Sequence, residues 1–331
     1  MDLSNLQAVL GDEPQYRYKQ IYQAVMKNLI NDWDEATNLS LALRDKLKKE
    51  VNLNINSKIL ESKDGSMKAL ITLGDGLKIE TVLMPYDDGR RTVCVSTQVG
   101  CPMGCLFCAT GQMGYKRDLE KWEIVEQVIL FARLLKKKEE RISNIVFMGM
   151  GEPFLNYDNV LKAIYVLHDS EGYNMGARNF SISTVGVIEG INKLTKEKLD
   201  INLAISLHAP NNELRLKLIP SSKAYPIEKI LLAVDNYLKE KNRKVMFEYI
   251  LLDGVNDSDD CARELAKLMH RPLYHVNLMI YNKTGKYSPA SRNKLRQFMK
   301  ILETNKVSVS ERYSFGSDIY AACGQLANKE S

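Results

Sequence analysis

The chain has 331 residues, 45% hydrophobic and 26% charged, with a mean hydropathy of −0.27. This composition excludes a disordered or collagen-like chain, and no run of ~18 apolar residues exists to form a spanning helix. Lys and Arg (46) outnumber Asp and Glu (41), a net +5, which suits an RNA partner without requiring one.

At about 150 residues per domain the length predicts two domains, or one large core with an appendage. The opening MDLSNLQAVLGDEPQ lacks a basic stretch followed by an apolar one, so no secretory signal is read and a soluble, cytoplasmic protein is expected. Helical patterning in YKQIYQAVMKNLI and LSLALRDKLKKEV marks residues 1–55 as a small helical accessory domain. Residues 56–92 read as a β-hairpin extension. Short β-type runs there are punctuated by Asp64-Gly65, Asp75-Gly76 and Asp88-Gly89, pairs that favour tight turns.

Over residues 93–331 strands and helices alternate. NIVFMG, FSISTV, INLAISLH, KVMFEYILL and LYHVNLMIY read as strands, with amphipathic helices between them. This alternation predicts right-handed β-α-β units on a parallel sheet. About six units fit, so the expected fold class is α/β, a partial (β/α)6 TIM-like barrel with its active site at the C-terminal strand ends. Gly149-Met150-Gly151-Glu152-Pro153, Ser183-Thr184 and Ser206-Leu207-His208 fall at such ends.

Six cysteines in a chain without an export signal read as metal ligands or reactive thiols. The strongest signal is CPMGCLFC, a C-x3-C-x2-C run at Cys101, Cys105 and Cys108. Three thiolates on one loop can bind three irons of a cubane cluster and leave the fourth open. The competing reading is structural zinc completed by Cys94 or a histidine, although no second cysteine pair follows.

Other residues have plain readings by themselves. Cys94 and Cys323 would be core cysteines, Glu80 a solvated strand carboxylate and His208 a satisfied core histidine. Cys261 shares a helical face with Leu265 and Leu268 and reads as core. Lys136-Lys137-Lys138 reads as a solvated helix end, whereas Arg90-Arg91 and Lys116-Arg117 are candidates for phosphate contacts.

The cysteine loop, with Phe107 before its last cysteine, resembles that of the radical S-adenosylmethionine (SAM) superfamily. Four segments, VCVSTQVGCPMGCLFCATG, FMGMGEPFLN, ISLHAPNNELRLKLIP and SFGSDIYAACGQLA, look like the RlmN/Cfr family of radical SAM rRNA adenine methyltransferases. The likeness runs from Glu13-Pro14 to Leu326. It implies a radical SAM partial barrel with a C-terminal catalytic-cysteine segment. It also implies one 4Fe-4S cluster on Cys101, Cys105 and Cys108, and two S-adenosyl-L-methionine molecules per turnover.

By the same resemblance, Gly151, Glu152, Ser183, Ser206, Leu207, His208 and Asn282 match cofactor-binding positions. Asn282 is followed by Lys283 where the family usually has proline. Cys323 matches the cysteine that becomes S-methylated, Cys94 its disulfide-forming partner, and Glu80 a proton acceptor. The implied substrate is adenine 2503 of 23S ribosomal RNA, with a tRNA adenine (37) as a second substrate and a flavodoxin-type electron donor. The two thiols, 229 positions apart, must then meet, so the tail is expected to return over the barrel mouth.

Pro153 and Val99 are RlmN-like and favour methylation at C2. Phe315-Gly316 and Tyr274-His275-Val276-Asn277-Leu278 lean towards Cfr and C8. The first pair is weighted more, as expected to lie nearer the reacting atoms. The rival classes are a radical SAM enzyme acting on a non-RNA substrate and a non-catalytic iron–sulfur or RNA-binding module.

Overall fold

The protein is seen in a computed structural model that describes residue 3 and residues 6–11 and 13–327; the rest of the opening stretch and of the C-terminal segment lies outside the described residues. Three short helices come first: α1 (Leu6–Leu10), α2 (Gln15–Met26) and α3 (Leu41–Glu50). Buried Trp33 ties them to the following linker through its indole N–H, which donates to the Val51 carbonyl at 2.8 Å.

Four strands follow as an antiparallel meander: β1 (Ser57–Glu61), β2 (Met67–Thr72), β3 (Lys78–Pro85) and β4 (Arg91–Cys94). Each turn between them is one of the three Asp-Gly pairs. Gly65, Gly76 and Gly89 all take positive φ, near 80–88°. In each turn the aspartate carboxylate accepts the N–H two residues on, at 2.9–3.1 Å. The side chain closes the turn and glycine supplies the left-handed backbone.

From β4 onward every pairing in this sheet is parallel. The strands β7 (Asn144–Phe147), β8 (Phe180–Thr184), β9 (Asn202–Ser206), β10 (Val245–Leu251), β11 (Tyr274–Ile280) and β12 (Val309–Glu311) follow β4 in spatial order. With β4 they give seven parallel strands and six crossovers, the partial barrel that the alternation predicts. Its covering helices are α5 (Lys121–Lys136), α6 (Tyr157–His168), α7 (Ile188–Lys196), α9 (Ile227–Lys241), α10 (Asp259–Met269) and α11 (Arg292–Thr304), with the short α4 (Ala109–Gln112) and α8 (Asn212–Leu218) near the site. The N-terminal helices dock on this outer layer: the Tyr22 hydroxyl donates to the Val166 carbonyl at 3.2 Å, and Arg133 of α5 donates to that of Leu53 at 2.8 Å.

A second, two-stranded ladder pairs β5 (Gln98–Gly100) with β6 (Tyr115–Asp118) and closes the loop between them at its base. Gly100 has φ +77°, and a Cβ there would overlap the Gly114 carbonyl oxygen. Only glycine permits this closure.

The sheet does not close on itself; its edges are β1 and β12. The segment after β12 crosses between them. Gly316 donates its N–H to Asp64 at 2.8 Å, and the Ser62 hydroxyl bonds Asp318. The first hairpin thus receives the returning tail. No helix among the described residues is long and apolar enough to cross a membrane.

Candidate active site

The loop clasped by β5 and β6 carries Cys101, Cys105 and Cys108, which line one cavity. Burial pushes the Cys101 thiol up to about 12 and Cys105 well above its ordinary value, and the neighbouring thiols add to both shifts. Cys108 is raised for the same first reason. Such a trio is a poor set of free thiolates and a good set of ligands for a cationic centre. Among the described residues no three acidic, histidine or cysteine side chains converge as a single-ion site requires. Three thiols on one loop lining one cavity suit a cluster in which each binds a different iron.

The opposite wall comes from the strand ends. Glu152 follows the glycine-rich turn after β7 and is 2% exposed. Its carboxylate accepts the N–H of Phe154 at 3.1 Å and of Val185 at 2.8 Å. Burial nonetheless raises it to about 7, so a cation placed beside it would favour its ionised form. Gly151, at φ +105°, lies so close to Gln98 that a Cβ would collide with it. Ser183 and Ser206, on adjacent strands, share a hydrogen bond of 3.2 Å.

His208 adopts a left-handed φ of 58°, and its Nδ1 accepts the Ile250 N–H at 3.1 Å. Burial, then Arg215 and Arg312, hold it down to about 3, so it is a neutral ring. Leu207 is wholly buried and enters through its backbone: its N–H donates to Glu248 and its carbonyl accepts Arg215. Asn282 lines neither this cavity nor the next. Its amide donates to the Cys323 carbonyl at 3.3 Å.

A second cavity adjoins the first. Cys94, Tyr86, Tyr313 and Phe315 are on its wall, while Cys108, Met148, Gly149, Arg312, Cys323 and Gly324 belong to both. Cys323 therefore stands on the partition. Its segment is bonded to the cysteine loop: the Ala109 N–H donates to Gly324 at 2.7 Å and the Thr110 hydroxyl to Leu326 at 2.6 Å. The tail does return over the barrel mouth. The expected disulfide is not formed, as all six cysteines are free. The Cys94 thiol is pushed up to about 12, first by burial and then by Cys323, against the opposing pull of Arg312.

Several sequence readings change here. Glu80 is not solvated; it is fully buried, pairs with Lys68 at 2.9 Å and accepts the Ala327 N–H at 2.7 Å. It is among the lining of neither cavity. Val99 and Pro153 are buried and line neither cavity, while Phe315 lines the second. Proximity therefore does not favour the C2-type positions. The phosphate candidates Arg90, Arg91 and Arg117 are engaged by Asp88, Glu140, and Asp75 with Glu123.

Four residues of the site went unread. Arg312 donates to Glu248 at 3.1 Å and to the Met148 sulfur at 3.1 Å, and Glu248 is oriented by Asn277 at 3.0 Å. Fully buried Arg215 braces the carbonyls of Val185, Leu207 and Tyr225 beneath the strand ends. Lys68 is the fourth. For Glu248 and Lys68 the available signal was a charge inside an apolar strand, in MFEYIL and MKALIT.

Residues 95–266 match the Radical SAM superfamily. A "Probable dual-specificity RNA methyltransferase RlmN" of Dictyoglomus turgidum is 46% identical over 318 residues, 95% of this chain and 91% of that one. The "Ribosomal RNA large subunit methyltransferase N" of Nitrosopumilus maritimus is 42% identical over 323 residues, covering 94% and 92%. Among solved structures, a radical SAM methyltransferase from Sphaerobacter thermophilus superposes with a TM-score of 0.93 at 42% identity, covering 99% of this chain and 98% of that one.

Proposed function

This chain belongs to the radical SAM superfamily and, within it, to the RlmN RNA methyltransferases, and from that footing we propose that it methylates C2 of adenine 2503 in 23S ribosomal RNA. Adenine 37 of tRNA is the second proposed substrate, by the dual specificity its relatives' names carry. The observation that supports this reading best is the partition: a thiol, Cys323, shared by a cofactor-type cavity and a second cavity holding another thiol.

In the first cavity Cys101, Cys105 and Cys108 would hold the 4Fe-4S cluster. Glu152 would receive the ammonium group of S-adenosyl-L-methionine, beside Gly151, Ser183, Ser206 and His208. When bound, these groups supply a transferable methyl and, with an electron from a flavodoxin-type donor, the means to make a carbon radical. C2 of adenine is a poor nucleophile, which is why a radical route is needed.

The chain's own residues perform the remaining work. Cys323 carries the one-carbon unit on its sulfur, where it can face either cavity. The second cavity receives the adenine, splayed from its strand so that its edge meets Cys323. The unpaired electron of the addition returns to the cofactor side and the C2 ring proton is lost. Cys94 then attacks the Cys323 sulfur. As the S–S bond forms the S–C bond breaks, and its electron pair leaves with the carbon now joined to the base, which takes up a proton to become the methyl group. External reduction returns both thiols. Such an enzyme works in the cytoplasm, with ribosomal RNA.

The test is chromatography of nucleosides from ribosomal RNA of cells with and without the protein. 2-Methyladenosine that depends on the protein is expected. Exclusive 8-methyladenosine would make the enzyme Cfr-type, and no methylated adenosine would point to a non-RNA substrate.

A further inference from the structure

One buried ion pair sits beside the Cys323 segment and touches it on both sides. Lys68 and Glu80 are 2% and 0% exposed and stand 2.9 Å apart. In the β2–β3 register Glu80 faces Leu70 and Lys68 faces Val82, so the two side chains are diagonal neighbours on one face. The next pairing sets Val82 opposite Cys94, which places Lys68, Val82 and Cys94 in one cross-strand row. The lysine ammonium donates to the Tyr320 carbonyl at 3.5 Å, three residues before Cys323. The glutamate accepts the Ala327 N–H at 2.7 Å, four residues after it.

We propose that Lys68 and Glu80 form a clamp that positions the Cys323 segment on the partition between the two cavities. This rests on the function proposed above for what Cys323 does there, though not for the clamp itself. A buried ion pair needs further hydrogen bonds to satisfy its remaining donors and acceptors. Here the tail backbone supplies one to each partner. The pair and the tail thus complete each other, and the same sheet row fixes Cys94 relative to the clamp. A carboxylate engaged by an ammonium and a backbone N–H, outside the lining of both cavities, is placed to hold the tail. That is a positioning role, distinct from removal of a proton from the bound adenine.

The two roles separate in variants of the full-length protein. Lys68→Met keeps the Glu80 carboxyl in place and breaks the clamp. Amides of residues 321–327 should then exchange about tenfold faster or more, with the barrel strands unchanged. S-methylation of Cys323, read by peptide mass spectrometry, should fall in parallel. Glu80→Gln keeps an oxygen that can accept the Ala327 N–H and should loosen the tail less. If Lys68→Met folds poorly, the neutral pair Lys68→Met/Glu80→Gln replaces it, with the same faster exchange expected.

Unchanged tail protection in all three variants would overturn the clamp. So would Glu80→Gln protein with full Cys323 methylation and accumulating RNA–Cys323 adduct, the signature of a lost proton acceptor. If Cys323 is never methylated in the unaltered protein while the variants still loosen the tail, the clamp stands and the methyl-carrier reading fails.

Discussion

The two cavities meet at one thiol, yet they are built differently. The cofactor-side wall is assembled from strand ends and one clasped loop, each a short contiguous motif, with Arg215 bracing the strand ends and the tail touching the loop at Ala109 and Thr110. The second cavity joins β3 and β4 to a tail far away in sequence. That tail is held by side chains reaching across the unclosed seam of the sheet. Most of the first wall precedes the tail in the chain, whereas the second has no shape until the tail arrives. Loss of function on the two sides should therefore look different.

The largest effect is expected on the cofactor side. Cys101→Ala, Cys105→Ala or Cys108→Ala should each abolish turnover and leave anaerobically reconstituted protein without iron and sulfide on metal analysis. A single zinc in the unaltered protein would break the comparison at its root.

Across the partition, Cys94→Ala should keep the iron and stop at a later stage. A protein–RNA species that survives denaturation and disappears on nuclease treatment is expected on gels. Free methylated product at the normal rate would remove Cys94 from the chemistry.

Arg312→Met should affect both cavities, since it leaves the Glu248 carboxylate buried without its cation. A loss of roughly 3–5 kcal/mol in denaturant unfolding is expected, partly recovered in Arg312→Met/Glu248→Gln.

Glu152 offers a pH test confined to the cofactor side. Its carboxyl rises from an ordinary 4.5 to about 7 in the folded protein. The folded state then binds the extra proton, so the stabilisation is complete below about 4.5 and is lost as pH rises past about 7. For cofactor-free protein the change is about 3 kcal/mol, and Glu152→Gln should flatten it in thermal melts across that range.

The smallest effect belongs to the contact between the cysteine loop and the tail. Thr110→Val removes the hydroxyl that reaches Leu326 and should lower stability by about 1 kcal/mol with cluster content unchanged.

The same contrast explains what could be read in advance. The cysteine loop, the Gly-Glu turn and the three Asp-Gly hairpins are local devices, so their residues are adjacent in the chain and their chemistry is legible there. The strand–helix alternation likewise carried the partial barrel. Glu80 read as solvated because nothing beside it in sequence announces Lys68 or Ala327. Arg91 read as free for phosphate because Glu140, its bidentate partner at 2.6 and 3.0 Å, is 49 residues on. Arg312 directly follows a three-residue strand and had no pattern to mark it. Cys94 and Cys323 were placed together only through family resemblance. Burial and pairing across the sheet decide these residues, and neither has a short-range signature.

The seam also orders events in time. Its contacts join residues 247 to 256 positions apart. During synthesis the meander and the cysteine loop leave the ribosome long before their partners. The Lys68–Glu80 seat can form early and stay vacant, while the thiols of the loop remain accessible from the side that the tail later covers. Long loops close late in folding because their entropy must be overcome before any contact rewards it. The mouth of this barrel consequently gains its last wall only after Ala327 has been made.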